Sequence, residues 1–172
     1  MRKALIGMGS LSLMLFGFAC EKEPVAKAKA TIESKSSSSV AGTVTFLEVS
    51  DTDARVEVAL TGLTPGKHGL HLHETGDCSA ADGSSAGGHW NPDSTEHGAP
   101  DAAKHHTGDL GNVTAEFDGK ATFTLDSKDF NFSGTTSVIG KAVIVHDKED
   151  DLTTQPTGNA GTRIGCGVVQ AL

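Results

Sequence analysis

The 172-residue sequence lacks tyrosine altogether, and Trp90 is its only tryptophan. Val, Leu, Ile and Phe must therefore build the core, and we expect Trp90 to pack in it. Long apolar stripes with the 3.6-residue period of a helix are also absent, while glycine is abundant at 21 residues. This combination disfavours a helical chain and predicts an all-β one.

Basic residues are scarce relative to acidic ones. Lys and Arg number 14 against 22 Asp and Glu, which gives a formal charge of −8. Proteins that bind nucleic acid need clustered Lys and Arg side chains to neutralise phosphates. We therefore expect no nucleic-acid partner.

The N-terminus has the pattern of an export signal. Arg2 and Lys3 precede an apolar run over residues 4–19 that is short for a membrane span. We predict a signal peptide over residues 1–19 and a location in the periplasm. The small residues before Cys20 resemble a bacterial lipoprotein cleavage site, and a lipid on Cys20 would anchor the mature chain to a membrane. Ordinary signal-peptidase cleavage fits the same residues and stays open as the alternative.

Residues 20–39 differ in composition from the rest of the chain. They are mostly Glu, Lys, Ala and Ser and show no apolar period. Such a composition is typical of a flexible linker. We therefore predict a lipidated N-terminus with a flexible tether over 20–39 and a single folded domain over 40–172.

The predicted domain contains a series of short candidate strands. They cover residues 40–49, 54–60, 69–73, 113–117, 121–125, 138–146 and 164–170. The dipeptide Asp118-Gly119 between two of them predicts a hairpin turn. A series of short strands separated by turn residues predicts a β-sandwich or a β-barrel. Two long irregular stretches, 74–108 and 147–162, interrupt the series, and loops of this length are usually functional.

Six of the eight histidines and one aspartate have the spacing of a metal site. His71 and His73 would leave a strand side by side, while Leu70 and Leu72 face the core, because residues i and i+2 share a face. Imidazole suits copper and zinc better than calcium or magnesium. The pattern predicts two metal ions that share a ligand. The candidate ligands are His71, His73, His89, His97, His106, Asp109 and His146.

The three cysteines are Cys20, Cys78 and Cys166. An exported protein enters an oxidising compartment, so Cys78 and Cys166 are expected to pair and to leave Cys20 for the lipid. The alternatives are free thiols, or Cys78 and Cys166 as additional metal ligands.

Six motifs in a fixed order carry a resemblance to a known family. They are HGLHLHE (68–74), GHWNP (88–92), HGAP (97–100), HTGDLGNV (106–113), VHDKEDDL (145–152) and GNAGTR (158–163). From Val40 to the C-terminus the chain resembles the copper/zinc superoxide dismutases, and the short step from Glu74 to Cys78 resembles their periplasmic bacterial branch. The resemblance implies an eight-stranded Greek-key β-barrel or sandwich with two long functional loops.

The same resemblance implies one copper and one zinc ion per chain, and it gives a role to individual residues. The copper ligands would be His71, His73, His89 and His146. The zinc ligands would be His89, His97, His106 and Asp109, so that His89 bridges the two ions. Asp150 would link a copper ligand to a zinc ligand, and Arg163 would receive the anion beside copper. Cys78 and Cys166 would form the intrachain disulfide.

The implied activity is the dismutation of superoxide to oxygen and hydrogen peroxide, with His89 and Arg163 as the catalytic side chains. The family contains monomers and dimers, so a homodimer stays open. Residues 152–158 are neutral, which leaves Lys104 and Lys148 as the nearby cations that could steer superoxide. The alternative function is a non-enzymatic periplasmic module that buffers or delivers copper or zinc. Such a module needs neither a bridging histidine nor an anion-binding arginine.

Overall fold

The structure is a computed structural model that describes residues 23–172. The predicted signal peptide over 1–19 and the predicted lipidation site at Cys20 lie outside the described residues. Within residues 23–172, no helix has both the length and the apolar character needed to cross a bilayer.

In residues 23–172, eight antiparallel strands form one nearly closed barrel with almost no helix. The strands are β1 (Val25–Ser34), β2 (Ala41–Glu48), β3 (Ala54–Thr61), β4 (Gly66–His73), β5 (Asp109–Ala115), β6 (Ala121–Ser127), β7 (Ala142–His146) and β8 (Arg163–Ala171). Their spatial order is β5-β4-β7-β8-β1-β2-β3-β6. The prediction of an all-β, eight-stranded Greek-key barrel is confirmed.

Alternating side chains on the strands build the core. On β3 the residues Val56, Val58 and Leu60 are buried, and the residues between them face outward, as a strand with one face on the core requires. Leu70 and Leu72 on β4 are fully buried in the same core, and Trp90 packs there too. The core is thus built from aliphatic side chains together with phenylalanine and Trp90, as the lack of tyrosine predicts.

The prediction of a flexible tether over 20–39 is wrong for residues 25–34. These residues form β1, which lies between β8 and β2 in the sheet. Ala30 pairs with Val44 on one side and with Val169 on the other, and its side chain is fully buried. The strand was missed because its buried positions are mostly alanine, which gives a weak hydrophobic alternation between lysine and glutamate.

The two long irregular stretches contain no strand, as predicted, and they bring the metal-site residues together. The first stretch, residues 74–108, lies beside β4 and is hydrogen-bonded to it. Trp90 N donates to Leu72 O (2.8 Å), and Gly108 N donates to Trp90 O (2.9 Å). This pairing places His89 directly opposite His73. A disulfide joins Cys78 in this loop to Cys166 on β8, so the predicted pairing is confirmed.

Candidate metal centre

Strands β4 and β7 supply three buried histidines from adjacent positions of the sheet. His71 and His73 lie two residues apart on β4, and His146 ends β7 beside it. The ring of His71 lies 5.0 Å from that of His146, centroid to centroid. The loop adds His89, whose ring centroid is 4.0 Å from that of His71. The structure therefore brings together four imidazoles that are far apart in sequence.

One nitrogen of each of these four rings is buried and makes no hydrogen bond. The free atoms are His71 Nδ1, His73 Nε2, His89 Nε2 and His146 Nε2. Ligand atoms of the four residues lie within 4.8 Å of one another. Buried polar atoms without partners are costly, and a metal ion at their centre would satisfy all four.

The remaining nitrogens of His73 and His146 hold those two rings in orientation. His73 Nδ1 donates to Gly87 O (3.0 Å), and His146 Nδ1 donates to Gly161 O (3.3 Å). A ring that donates through one nitrogen presents a lone pair at the other, which is the form that binds metal. The loop carbonyls thus define the tautomer of both histidines.

A second group forms around the Asp109 carboxylate. Asp109 Oδ1 lies 3.0 Å from His89 Nδ1, 3.0 Å from His97 Nδ1 and 3.3 Å from His106 Nδ1. The other oxygen accepts hydrogen bonds from the backbone N–H groups of Gly98 (3.1 Å) and His106 (2.8 Å). Three imidazoles and one carboxylate match the ligand types and the number of a tetrahedral zinc site.

His89 belongs to both groups. Its Nε2 is one of the four free nitrogens, and its Nδ1 faces Asp109. A single ring can thus contact two ions from opposite edges. This is the geometry that a shared ligand requires.

Asp150 connects the two groups from behind. Its Oδ2 accepts a hydrogen bond from His71 Nε2 (2.7 Å), and its Oδ1 accepts one from His97 Nε2 (2.9 Å). Both bonds leave the Nδ1 atom of the ring free, and both of these Nδ1 atoms lack hydrogen-bond partners. The neighbouring Asp151 bonds instead to Thr153 and Thr154 within its own loop.

Burial keeps three histidines of the first group, His71, His73 and His146, neutral. Desolvation lowers the pKa of His71 to about 4, that of His146 to about 3 and that of His73 to about 2, because a charged imidazolium loses its hydration inside the protein. At neutral pH these rings need not release a proton before they bind a metal ion.

The two carboxylates stay ionised despite their burial. Desolvation raises the pKa of Asp109, but hydrogen bonds from His89 Nδ1 and from the backbone N–H groups of His106 and Gly98 outweigh it and lower the pKa overall. Asp150 shows the same balance, with bonds from His71 and His97 lowering its pKa. Burial lowers the pKa of His97, but its hydrogen bond to Asp150 and the nearby negative charge of Asp109 outweigh this effect and raise the pKa to about 9.

Arg163 begins β8 beside the first group. Its Nη1 donates to Gly83 O (2.8 Å) and its Nη2 donates to Gly87 O (2.7 Å). Gly87 O also accepts the bond from His73 Nδ1, so one carbonyl positions both side chains. Burial lowers the pKa of Arg163, yet a guanidinium remains charged at neutral pH.

Of the two cations named as steering candidates, Lys104 has its charge compensated. Its Nζ lies 3.2 Å from Glu96, and both side chains are exposed. Lys148 packs its aliphatic stem near Gly161, whose carbonyl accepts the bond from His146. Of the two, Lys148 is the one left close to the first group.

Two histidines lie outside both groups. His68 is buried, and its Nδ1 lies 2.8 Å from His146 O. It therefore supports the backbone of a metal-group residue without contributing to the group. His105 is half-buried, with Nδ1 2.7 Å from Ala102 O.

Sequence analysis missed two side chains that hold the centre through backbone contacts. Asn112 Oδ1 accepts from Asp150 N (2.8 Å), and Asn112 Nδ2 donates to Asp150 O (2.9 Å). Gln155 makes the same paired bonds to the backbone of His97, at 2.8 and 2.9 Å. Asn112 stands within a recognised motif, but an amide side chain carries no signal of this role.

An antiparallel β-barrel whose strands and loops together hold two adjoining groups of imidazole and carboxylate, with one histidine between them, defines a metalloprotein with a two-metal centre. The family model described as copper/zinc superoxide dismutase (SODC) matches residues 40–169. The chain belongs to this family, whose members dismutate superoxide with copper and zinc as cofactors. The partnerless nitrogens and the Asp109 carboxylate fit both ions, so the expected cofactors are confirmed.

Proposed function

We propose that the first group binds copper and the second binds zinc, with His89 between them. The copper ligands are His71, His73, His89 and His146. The zinc ligands are His89, His97, His106 and Asp109. The observation that carries this assignment is the set of five buried histidine nitrogens without partners, four in the first group and His97 Nδ1 in the second.

The assignment of His106 rather than His71 to the zinc group depends on which ring nitrogens are free and on their distance from Asp109. Ligand atoms of His71, His89, His97 and Asp109 also lie within 4.8 Å of one another, so His71 competes for the second group. However, His71 has only one nitrogen free, since its Nε2 donates to a carboxylate, and that nitrogen is needed in the first group. His106 Nδ1 lies 3.3 Å from Asp109 Oδ1, which supports it as the zinc ligand.

Two side chains, Arg163 and His89, then bind superoxide and transfer a proton to the product. When bound, copper supplies one-electron redox chemistry. Zinc cannot supply it, because zinc has no second accessible oxidation state. Arg163 holds the superoxide anion by charge-assisted hydrogen bonds from its guanidinium. When it is not a ligand of copper, His89 Nε2 would hold a proton and pass it to the departing product, while its Nδ1 keeps the ring in place. The basic test is whether the copper- and zinc-loaded protein inhibits superoxide-driven dye reduction.

Changing Arg163 to Glu should separate substrate binding from metal binding. We expect the rate constant with superoxide to fall by about tenfold or more, because a carboxylate repels the anion that the guanidinium attracts. Copper and zinc contents, measured by elemental analysis, should stay at the level of the unchanged protein. A parallel loss of copper would contradict the anion role and indicate that Arg163 supports the metal site.

We further propose that the enzyme works outside the cytoplasm, in the periplasm, on a membrane to which a lipid on Cys20 anchors it. The export pattern before Cys20 motivates this location. The disulfide between Cys78 and Cys166 supports it, since such bonds persist in oxidising compartments. The enzyme would then remove superoxide that arises outside the cytoplasm.

Replacing Cys20 with alanine should release the protein from the membrane. We expect the unchanged chain to incorporate a labelled fatty acid and to sediment with membranes, and the Cys20→Ala chain to do neither. The Cys78–Cys166 disulfide should form in both, which controls for export. An unchanged chain that carries no lipid label and stays in the soluble fraction would contradict the anchor and favour ordinary signal-peptidase cleavage.

A further inference from the structure

A short turn outside the family match contacts the surroundings of Arg163. Residues 35–38 lie between β1 and β2, whereas the family match begins at residue 40. Ser36 and Ser37 in this turn both have positive φ, 52° and 61°. Non-glycine residues rarely adopt this conformation, so the path of the backbone here is unusual and specific.

The turn first holds the backbone at the start of β8. Ser36 Oγ donates a hydrogen bond to Arg163 O (2.9 Å). One residue earlier, Lys35 N donates to Ile164 O (2.9 Å). Both carbonyls at the start of β8 are therefore satisfied by this turn.

The turn also holds the loop that faces the Arg163 side chain. Lys35 Nζ donates to Cys78 O (2.6 Å), and Ser36 N donates to Ala81 O (2.8 Å). The same loop, residues 78–88, carries the two glycine carbonyls that accept the Arg163 guanidinium. The backbone of Arg163 and the acceptors of its side chain are thus both connected to Lys35 and Ser36.

We propose that Lys35 and Ser36 are positioning residues for Arg163, an inference that rests on the proposed anion role of that arginine. Two of its guanidinium N–H groups are directed by the loop, so a shift of the loop against β8 would turn the remaining donors away from the anion. Bonds from one turn to both elements limit this shift. Preorganised donors bind an anion more tightly than donors that must first be oriented.

The test uses the metal-loaded full chain with Lys35→Met and Ser36→Ala combined. Azide serves as the anion probe, followed through the copper absorption, and the rate constant with superoxide is measured separately. We expect the azide Kd to rise and the rate constant to fall by about threefold to tenfold, the size expected from losing one or two hydrogen bonds. Copper and zinc contents should not change. Arg163→Ala is measured in parallel and should weaken azide binding more.

Lys29→Met combined with Ser37→Ala is the matched control. It removes the same charge and the same hydroxyl, and Ser37 shares the positive φ of Ser36. Within residues 23–172, neither of these two side chains has a hydrogen bond or ion pair. The control should match the unchanged protein. Repeating the azide titration at about 1 M salt, where the Debye length is about 3 Å, should leave the positioning effect in place and remove any effect of the lost charge.

The possible results separate this inference from the role of Arg163. If the Lys35 and Ser36 variant matches its control while Arg163→Ala loses azide affinity, the inference is overturned and the anion role stands. If Arg163→Ala changes nothing, both are overturned. A lower unfolding temperature with an unchanged azide Kd also overturns the inference, because it shows a structural role alone. Ser36→Ala by itself, which changes no charge, gives the same test with a smaller expected shift if the combined variant does not fold.

Discussion

Replacing Cys78 and Cys166 together with serine should lower the free energy of unfolding of the metal-free chain by about 4–5 kcal/mol, the upper end of the range for a disulfide. The two residues are 88 positions apart, and a cross-link that closes a loop of this size removes much conformational freedom from the unfolded chain. Cys166 is also buried against Ala86 and Ile144, where a serine hydroxyl would lack the apolar fit. Denaturant unfolding in a metal chelator measures the change.

Two controls accompany this measurement. The unchanged protein under a thiol reductant should unfold like the serine variant, and Cys20→Ser should unfold like the unchanged protein. The dependence of the unfolding free energy on denaturant should also steepen, because an unfolded chain without the cross-link exposes more surface. A loss below about 1 kcal/mol would contradict the prediction, since it would mean that the unfolded chain gains little freedom when the bond is removed.

The disulfide and the turn at Lys35 act on the same part of the molecule. Cys78 begins the loop that accepts the Arg163 guanidinium, and Cys166 lies three residues after Arg163 on β8. Lys35 binds the carbonyl of Cys78 itself. The covalent bond therefore joins the loop to β8 directly, while the turn joins both to β1. Stability and anion binding are expected to depend on one shared piece of structure.

The metal centre was predictable from sequence because its chemistry limits the residue types. Only a few side chains bind copper or zinc, and His71 and His73 already define a shared face when they lie on a strand. The structure brings all seven predicted ligand residues into two adjoining groups. Asp150 was distinguished from Asp151 by its place in a motif, and it is Asp150 that contacts His71 and His97.

The parts that sequence analysis missed depend on distant partners. Ala28 and Ala30 are too small to mark a strand by themselves, and they are buried in the core only because β1 is placed in the barrel by its pairing with β2 and β8. Asn112 meets Asp150 across 38 positions, and Gln155 meets His97 across 58. Such contacts involve backbone atoms, which are the same in every residue. No pattern of residue types can therefore indicate them before the fold is known.

Asp150 orients one histidine of each metal group. It is nearly fully buried, and its two oxygens accept bonds from one histidine of each metal group. Leu152 N adds a third bond to Oδ1 (2.7 Å), while Asn112 holds its backbone. The carboxylate is therefore rigid, and it determines at once which nitrogen of His71 and which nitrogen of His97 stays free.

Changing Asp150 to Asn should weaken both metals, although Asp150 is assigned to neither ion. The amide keeps the shape, but one oxygen becomes a donor and the other becomes a weaker, uncharged acceptor, so one of His71 and His97 loses its partner and the other is held less firmly. We expect the affinities for copper and zinc to fall by about 10- to 100-fold each, as for other residues that orient metal ligands, in competition titrations against a chelator. Asp151→Asn removes the same charge one residue away and should leave both affinities unchanged. Equal losses in the two variants would indicate a charge effect alone, and a loss confined to one metal would contradict the link through Asp150.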